Sequence, residues 1–288
     1  MRAVPTAEEV LRDAERTLKA SRAVEHPHAG KERIDAEQIL EHVLGREPDP
    51  DETLDPSAAR RFGRLLARRA AGEPPAYITG REEFHGLWLD VGRGAFIPRQ
   101  SSEWMADQAI RRLRARSRPV HVDLATGVGP VALAVASALP RARVFGTDLF
   151  ARPVTLARRN AERLRLRNAR FVRGDLFAPL PRALQGMVDV ITVHPPYIGT
   201  RELRTIPHEI LGFEPRGSLT DGSPEGMGLL SRVVAEAPGW LRPGGWLLVE
   251  VSPDRSKQVA GVIRRAGFRD VRSTKGPVPV SRVLTGRI

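Results

Sequence analysis

The sequence predicts an α/β fold: a doubly wound sheet of seven strands with an antiparallel strand at its edge, preceded by a small helical domain. Three observations predict it. From residue 118 onward, short β-branched apolar runs alternate with segments of helical period about 10 to 15 residues long, and strands so separated pair in parallel through right-handed crossovers. The last two runs, FRDVRSTK and SRVLTGRI, have no helix between them and should pair antiparallel at one edge. The first 80 residues carry helical periodicity alone.

The elements follow in order. Thr6 with Glu9 forms an S/T-x-x-E capping box, after which Val10, Leu11, Ala14 and Leu18 recur at helical spacing. A second helix fits DAEQILEHVL (35–44), with Ile39, Leu40, Val43 and Leu44 on one face. A third fits SAARRFGRLLARRA (57–70), where Phe62, Leu65 and Leu66 make the apolar stripe. EHPHAGK and GREPDPDETLDP read as loops, and the Pro- and Gly-rich segment 71–80 punctuates the chain. EEFHGLWLDVGRGAFIP, with apolar stretches around Gly92 and Gly94, fits a short hairpin. The expected domains are therefore 1–80 helical, 81–100 a hairpin linker and 101–288 the sheet. Within the last, the strands are PVHVDL, ARVFGTD, ARFVRGD, MVDVITV, GGWLLVEV and the final pair; helices fit GPVALAVASAL, ARPVTLARRNAERL, GLLSRVVAEAPGWL and RSKQVAGVIRRAG.

Composition narrows the chemistry. With no cysteine, disulfides, thiolate nucleophiles and cysteine-ligated zinc are excluded. No apolar segment follows Met1 and no run reaches the roughly 18 residues of a membrane span, so a cytoplasmic protein without a membrane partner is expected. The formal charge of +12 suits an anionic partner such as RNA, a ribosome or DNA. Arginine-rich coding in a GC-rich genome accounts for it equally, since only Lys19, Lys31, Lys257 and Lys275 are lysines. His26, His28 and His42 have no defined ligand spacing, so no metal is expected.

In open sheets of this kind the ligand lies at the carboxyl ends of the strands, at the switch point. The first strand there runs into Asp123, Ala125, Thr126, Gly127, Val128 and Gly129, glycines that let backbone approach a ligand. Asp148 closes the second strand, where a carboxylate can accept both hydroxyls of an adenosine ribose. Gly127-x-Gly129-x-x-Ala132 also satisfies a dinucleotide fingerprint. Asp123 separates the two: a carboxylate four residues before Gly127 repels a pyrophosphate but suits the ammonium and sulfonium of S-adenosyl-L-methionine. Asp175 can bond the adenine amino group, with Leu176 covering the ring; an exposed turn aspartate is the plainer alternative. His194-Pro195-Pro196-Tyr197 ends the fourth strand, across the switch point. Its two prolines fix φ and remove donors, leaving a carbonyl to accept a substrate N–H.

DAEQILEHVLG, PAYITGREEFHG, FIPR, DLATGVG, GDLF, HPPYI, EPRGSLTDG and LRPGGWLLVEV together resemble, over nearly the whole length, the PrmC/HemK family of release-factor glutamine methyltransferases. The resemblance implies a class I S-adenosyl-L-methionine-dependent methyltransferase domain. It implies as acceptor the glutamine of a Gly-Gly-Gln loop in a peptide chain release factor, received in part by the helical domain. It also implies that Glu214, Pro215, Arg216 and Gly222 shape the substrate pocket. The sequence departs from the family in three places: His194 stands for asparagine, Gln100-Ser101-Ser102 for Pro-Glu-Thr, and Ala125 and Val128 for a glycine and a small hydroxyl residue. Histidine can keep an acceptor at Nδ1 if Nε2 carries the proton, or it can accept a proton outright. Three outcomes follow for His194: glutamine methylation with a substituted acceptor group, a changed acceptor (small molecule, other protein or nucleobase), or a catalytically silent paralog.

Overall fold

The computed structural model describes residues 5–24 and 30–288, so His26 and His28 lie outside the described residues. The chain forms two compact units, one of residues 1–81 with 205–214, the other of 82–204 with 215–288.

In the first unit, α1 (Ala7–Ala20) starts at the Thr6–Glu9 capping box, α2 (Lys31–Leu44) ends at Gly45 in the left-handed region, and α3 (Pro56–Ala70) is capped by Asp55. The helix α2 begins four residues ahead of the sequence expectation. α4 (Pro75–Thr79) is a single turn within the Pro-rich stretch that reads as a loop, its Pro75 seated in the first turn where no N–H is needed. Leu11, Leu18, Ile39, Leu40, Phe62 and Ile78 form the core. Beside it a fully buried Arg69 donates to Asp35 at 2.7 Å and to Glu209 at 2.9 Å. Glu209 belongs to α8 (His208–Leu211), introduced far downstream in the chain. His42 is exposed on α2, and no described cluster of His, Cys, Asp or Glu is arranged to hold a metal ion.

A hairpin of β1 (Arg81–Phe84) and β2 (Leu87–Asp90) begins at the last residue of the first unit's opening stretch and otherwise belongs to the second. Its turn is His85–Gly86, both at positive φ as a two-residue hairpin turn demands, and not the Gly92–Gly94 region. The imidazole of His85 lies 3.0 Å from Asp107 and the backbone N–H of His85 donates to Glu103, both acids on α5 (Glu103–Leu113), a helix absent from the sequence expectation.

The remaining elements alternate: β3 (Val120–Leu124), α6 (Pro130–Ala138), β4 (Arg143–Asp148), α7 (Ala151–Arg163), β5 (Ala169–Arg173) and β6 (Val188–Val193). After α8 come α9 (Arg216–Leu219), α10 (Gly228–Trp240), β7 (Leu241–Val251), α11 (Ser256–Arg265), β8 (Arg269–Thr274) and β9 (Arg282–Arg287). The sheet order is β5-β4-β3-β6-β7-β9-β8. The final pair is antiparallel at the edge because its connection is too short for a crossover. The strand running against the rest is β9, which returns into the gap between β7 and β8 and leaves β8 outermost. β3 and β6 are buried throughout, as strands covered on both faces must be. They adjoin at the switch point, so the segments that follow them meet above one point of the sheet. No described helix is long and apolar enough to cross a membrane.

Candidate active site

Beyond β3 the chain turns through three residues at positive φ, Ala125 (51°), Gly127 (59°) and Gly129 (88°), before α6 begins at Pro130. The Gly129 N–H closes the turn on the Thr126 carbonyl at 2.9 Å, and the Thr126 N–H ties it to Thr147 of β4, also at 2.9 Å. The two glycines serve different ends. A Cβ at Gly129 would stand 2.9 Å from the Phe171 ring, so the absence of a side chain there lets β5 pack closely; a Cβ at Gly127 would meet nothing within 4 Å and would project into open space.

That space is a cavity of about 550 Å³. Of the residues singled out in the sequence, Asp123, Ala125, Thr126, Gly127, Val128, Asp148, Asp175, Leu176, His194 and Pro196 line it; Gly129, Pro195 and Tyr197 do not. Gly129 is occupied with packing, and Tyr197 is bridged to Thr220 with its ring stacked on His194. The Pro195 carbonyl takes no loop or side-chain hydrogen bond from the described residues.

Two acids form the cavity floor. Asp123 is buried, its oxygens accepting from Thr126 Oγ1 at 2.5 Å and Thr192 Oγ1 at 2.6 Å. Burial pushes its carboxyl up to about 6 despite those hydroxyls. Thr192 in turn lies 2.9 Å from His121 Nε2; having given its own proton to Asp123, it accepts here, which puts the imidazole proton on Nε2. His121 Nδ1 is buried without a partner, and burial holds the ring down at about 3, hence neutral. Asp148 accepts from the Gly127 N–H at 3.0 Å and the Phe150 N–H at 2.9 Å; burial raises its carboxyl, against the pull of those two donors. Two desolvated acids gain from a bound cation, and Gly127 leaves room for it, so the residues present fit S-adenosyl-L-methionine. Asp175 is half-exposed and bridged to Arg232 of α10 at 2.7 Å. Its partner, 57 positions further on, is a side chain that the sequence gives no sign of.

At the other wall, His194 departs from expectation. Its Nδ1 does not face the cavity: it points to Ser102 Oγ at 3.2 Å and Glu250 Oε2 at 3.5 Å. Glu250 on β7 is fully buried, and its Oε1 accepts from Ser101 Oγ at 3.0 Å. Phe96 meets the imidazole edge-on, 6.0 Å between centroids, with the Arg99 guanidinium over the Phe96 ring. Burial, then the negative charges of Glu250 and Asp254, push the Tyr197 hydroxyl up to about 12, so it stays protonated. Ser102, Arg99 and Glu250 were missed as site residues. FIPR and LLVEV gave their neighbourhoods, but the pairing spans 92 residues or more and has no local signature. Of the downstream pocket segment, Pro215 lines the cavity and Glu214 belongs to the first unit. Asp221, which accepts the Leu229 N–H at the start of α10, lines the cavity beside the predicted Gly222.

Residues 9–80 match the PrmC N-terminal domain family, and residues 107–212 match the methyltransferase small domain family. A release factor glutamine methyltransferase of Bordetella pertussis is 38% identical over 265 residues, covering 89% of this chain and 95% of the relative. One of Geobacter sulfurreducens is 36% identical over 261 residues, covering 89% of each. A crystallised methyltransferase from Pyrococcus furiosus overlays with a TM-score of 0.50 at 19% identity, covering 80% of this chain and 98% of that one, a likeness of fold. The chain belongs to the release factor glutamine methyltransferase family and is an enzyme of the class I methyltransferase fold that uses S-adenosyl-L-methionine.

Proposed function

We propose that the protein methylates the side-chain amide nitrogen of a glutamine in the Gly-Gly-Gln loop of a peptide chain release factor. The observation that carries this reading is that His194 and Pro196 line the same cavity as the glycine turn and its two acids. The names of its relatives support the acceptor. The bound cofactor supplies a methyl group on a sulfonium. Asp123 offsets the positive charge, Asp148 holds the sugar hydroxyls, Leu176 covers the base beside Asp175, and Gly127 gives the backbone its close approach. An amide nitrogen is a poor nucleophile because its lone pair is delocalised into the carbonyl. His194 and the Pro195 carbonyl accept its two hydrogens, which orients and polarises it toward the methyl carbon. Tyr197, stacked behind His194, steadies that ring. The helical unit receives the release factor, the net charge of +12 suits work near ribosomal RNA, and the enzyme acts in the cytoplasm.

A second acceptor class is a hydroxyl, phenol or amine, because a histidine at 194, unlike an asparagine, can take a proton outright. Incubation with labelled S-adenosyl-L-methionine and a panel of release factor, RNA, amines and phenols separates the readings. The expected result is one methyl on the release factor, abolished when the glutamine of its Gly-Gly-Gln motif is replaced. Labelling of amines or phenols alone overturns it, and cofactor binding without any transfer marks a silent paralog.

A further inference from the structure

Position 194 and the stretch 100–102 are some 90 residues apart along the chain and touch in space. Ser102 bonds the histidine, Ser101 bonds Glu250, and Glu250 faces the histidine. Glu250 Oε2 is buried without a hydrogen bond, and Nδ1 of His194 stands within ion-pair reach of it at 3.5 Å. A carboxylate aimed at one ring nitrogen fixes the tautomer, placing the proton on Nδ1 and leaving the lone pair on Nε2. Ser102 then accepts from Nδ1 or spends its hydroxyl proton elsewhere without disturbing that assignment. Nε2 has no protein partner among the described residues and is not a buried orphan, while His194 lines the cavity.

We propose that Glu250 is a positioning residue that acts through Nδ1 of His194, holding Nε2 unprotonated toward the cavity so that His194 takes the proton the acceptor nitrogen loses on methylation. This rests on the reading of a nitrogen acceptor given above. The nitrogen lone pair forms the bond to the methyl carbon as the carbon–sulfur pair returns to sulfur. The N–H proton passes to Nε2, and the resulting imidazolium is held against the Glu250 carboxylate until the proton leaves to solvent. An asparagine at 194 can accept a hydrogen bond but cannot take that proton. Its acceptor oxygen also lies one bond nearer the backbone than Nε2, so the histidine sets the substrate nitrogen farther from β6.

The test reads the tautomer first. Nitrogen-15 NMR of histidine-labelled protein, with H194N used to assign the signal, is expected to give protonated Nδ1 and bare Nε2, and E250Q is expected to move the proton toward Nε2. Because this needs no turnover, it decides on Glu250 whichever acceptor the enzyme takes. A protonated Nε2 in the unsubstituted enzyme overturns the proposal. Kinetics follow with the release factor as acceptor. E250Q is expected to lower kcat about 10- to 100-fold, with KM for the methyl donor within about twofold, and S102A to lower it less. In the H194N background E250Q should change kcat by less than about twofold. An equal loss in both backgrounds assigns Glu250 a structural role and also overturns it. If E250Q fails to fold, S102A in the two backgrounds gives the same comparison.

Discussion

On the proposed reading, Asp123 is the residue at which cofactor binding and stability oppose each other. Its carboxyl stands at about 6 in the fold against an ordinary 3.8, because burial outweighs the two threonine hydroxyls. The folded value lies above the unfolded one, so the contribution to stability is fully present below pH 3.8 and is lost as pH rises through about 6. Linkage bounds that loss at about 3 kcal/mol. Asp123→Asn is therefore expected to raise the melting temperature of the ligand-free protein at pH 7, an advantage that vanishes near pH 4. His121 has the opposite sign: buried and held at about 3, it stabilises above its unfolded 6.5 and loses that contribution as pH falls toward 3. Calorimetry tests the other half. If the ionised carboxylate receives the cation, affinity for S-adenosyl-L-methionine rises with pH and is about 10-fold weaker at pH 5 than at pH 7, and D123N is both weaker and flat. A pH-independent affinity in the unsubstituted enzyme removes Asp123 from cofactor binding.

The glycine turn makes a finer prediction at the level of the element. Gly129→Ala drives a methyl into Phe171 at a φ of 88° and is expected to cost several kcal/mol of stability, as overpacking and left-handed strain add. Gly127→Ala meets only open cavity, so it should cost about 1 kcal/mol of backbone strain while abolishing cofactor binding, since the methyl occupies the ligand's space. Ala125→Gly should stabilise, because the alanine already sits at a φ of 51° where glycine rests without strain. Chemical denaturation alongside cofactor titration distinguishes the three; similar stability for G127A and G129A refutes the division of labour. The turn also marks what the sequence could reveal. Period and spacing gave every strand of the sheet and the acids at the ends of β3 and β4, because those signals are local. The hairpin turn was misplaced because Gly92 and Gly94 are louder than His85, whose positive φ is supported from outside by Glu103 and Asp107. Glu250 hid in LLVEV as an ordinary strand residue: what makes it part of the site is a serine 149 positions earlier.

For the molecule as a whole, the consequential feature is that the first unit is not continuous in sequence. The chain leaves the sheet-bearing unit after Arg204, contributes 205–214 to the helical unit, and returns at Pro215, ten residues that no periodicity marks as foreign. Arg69 is what they join: a fully buried guanidinium shared between Asp35 of α2 and Glu209 of α8. Replacing one member of such a cluster strands the opposing charges in the interior, which costs about 3–5 kcal/mol. Arg69→Ala is thus expected to lower hydrogen-exchange protection in α1–α3 and in 205–214 together, while β3, β6 and β7 keep theirs. The segment also lies between the HPPY loop and the Pro215–Asp221 stretch that lines the cavity, so its release loosens both ends of that loop along the chain. A second consequence follows for methyl transfer: R69A should weaken the acceptor's KM more than it weakens cofactor affinity, because the glycine turn is built on β3 and is independent of these ten residues. Protection lost in α1–α3 with 205–214 unchanged would mean that Glu209 is not anchored by Arg69.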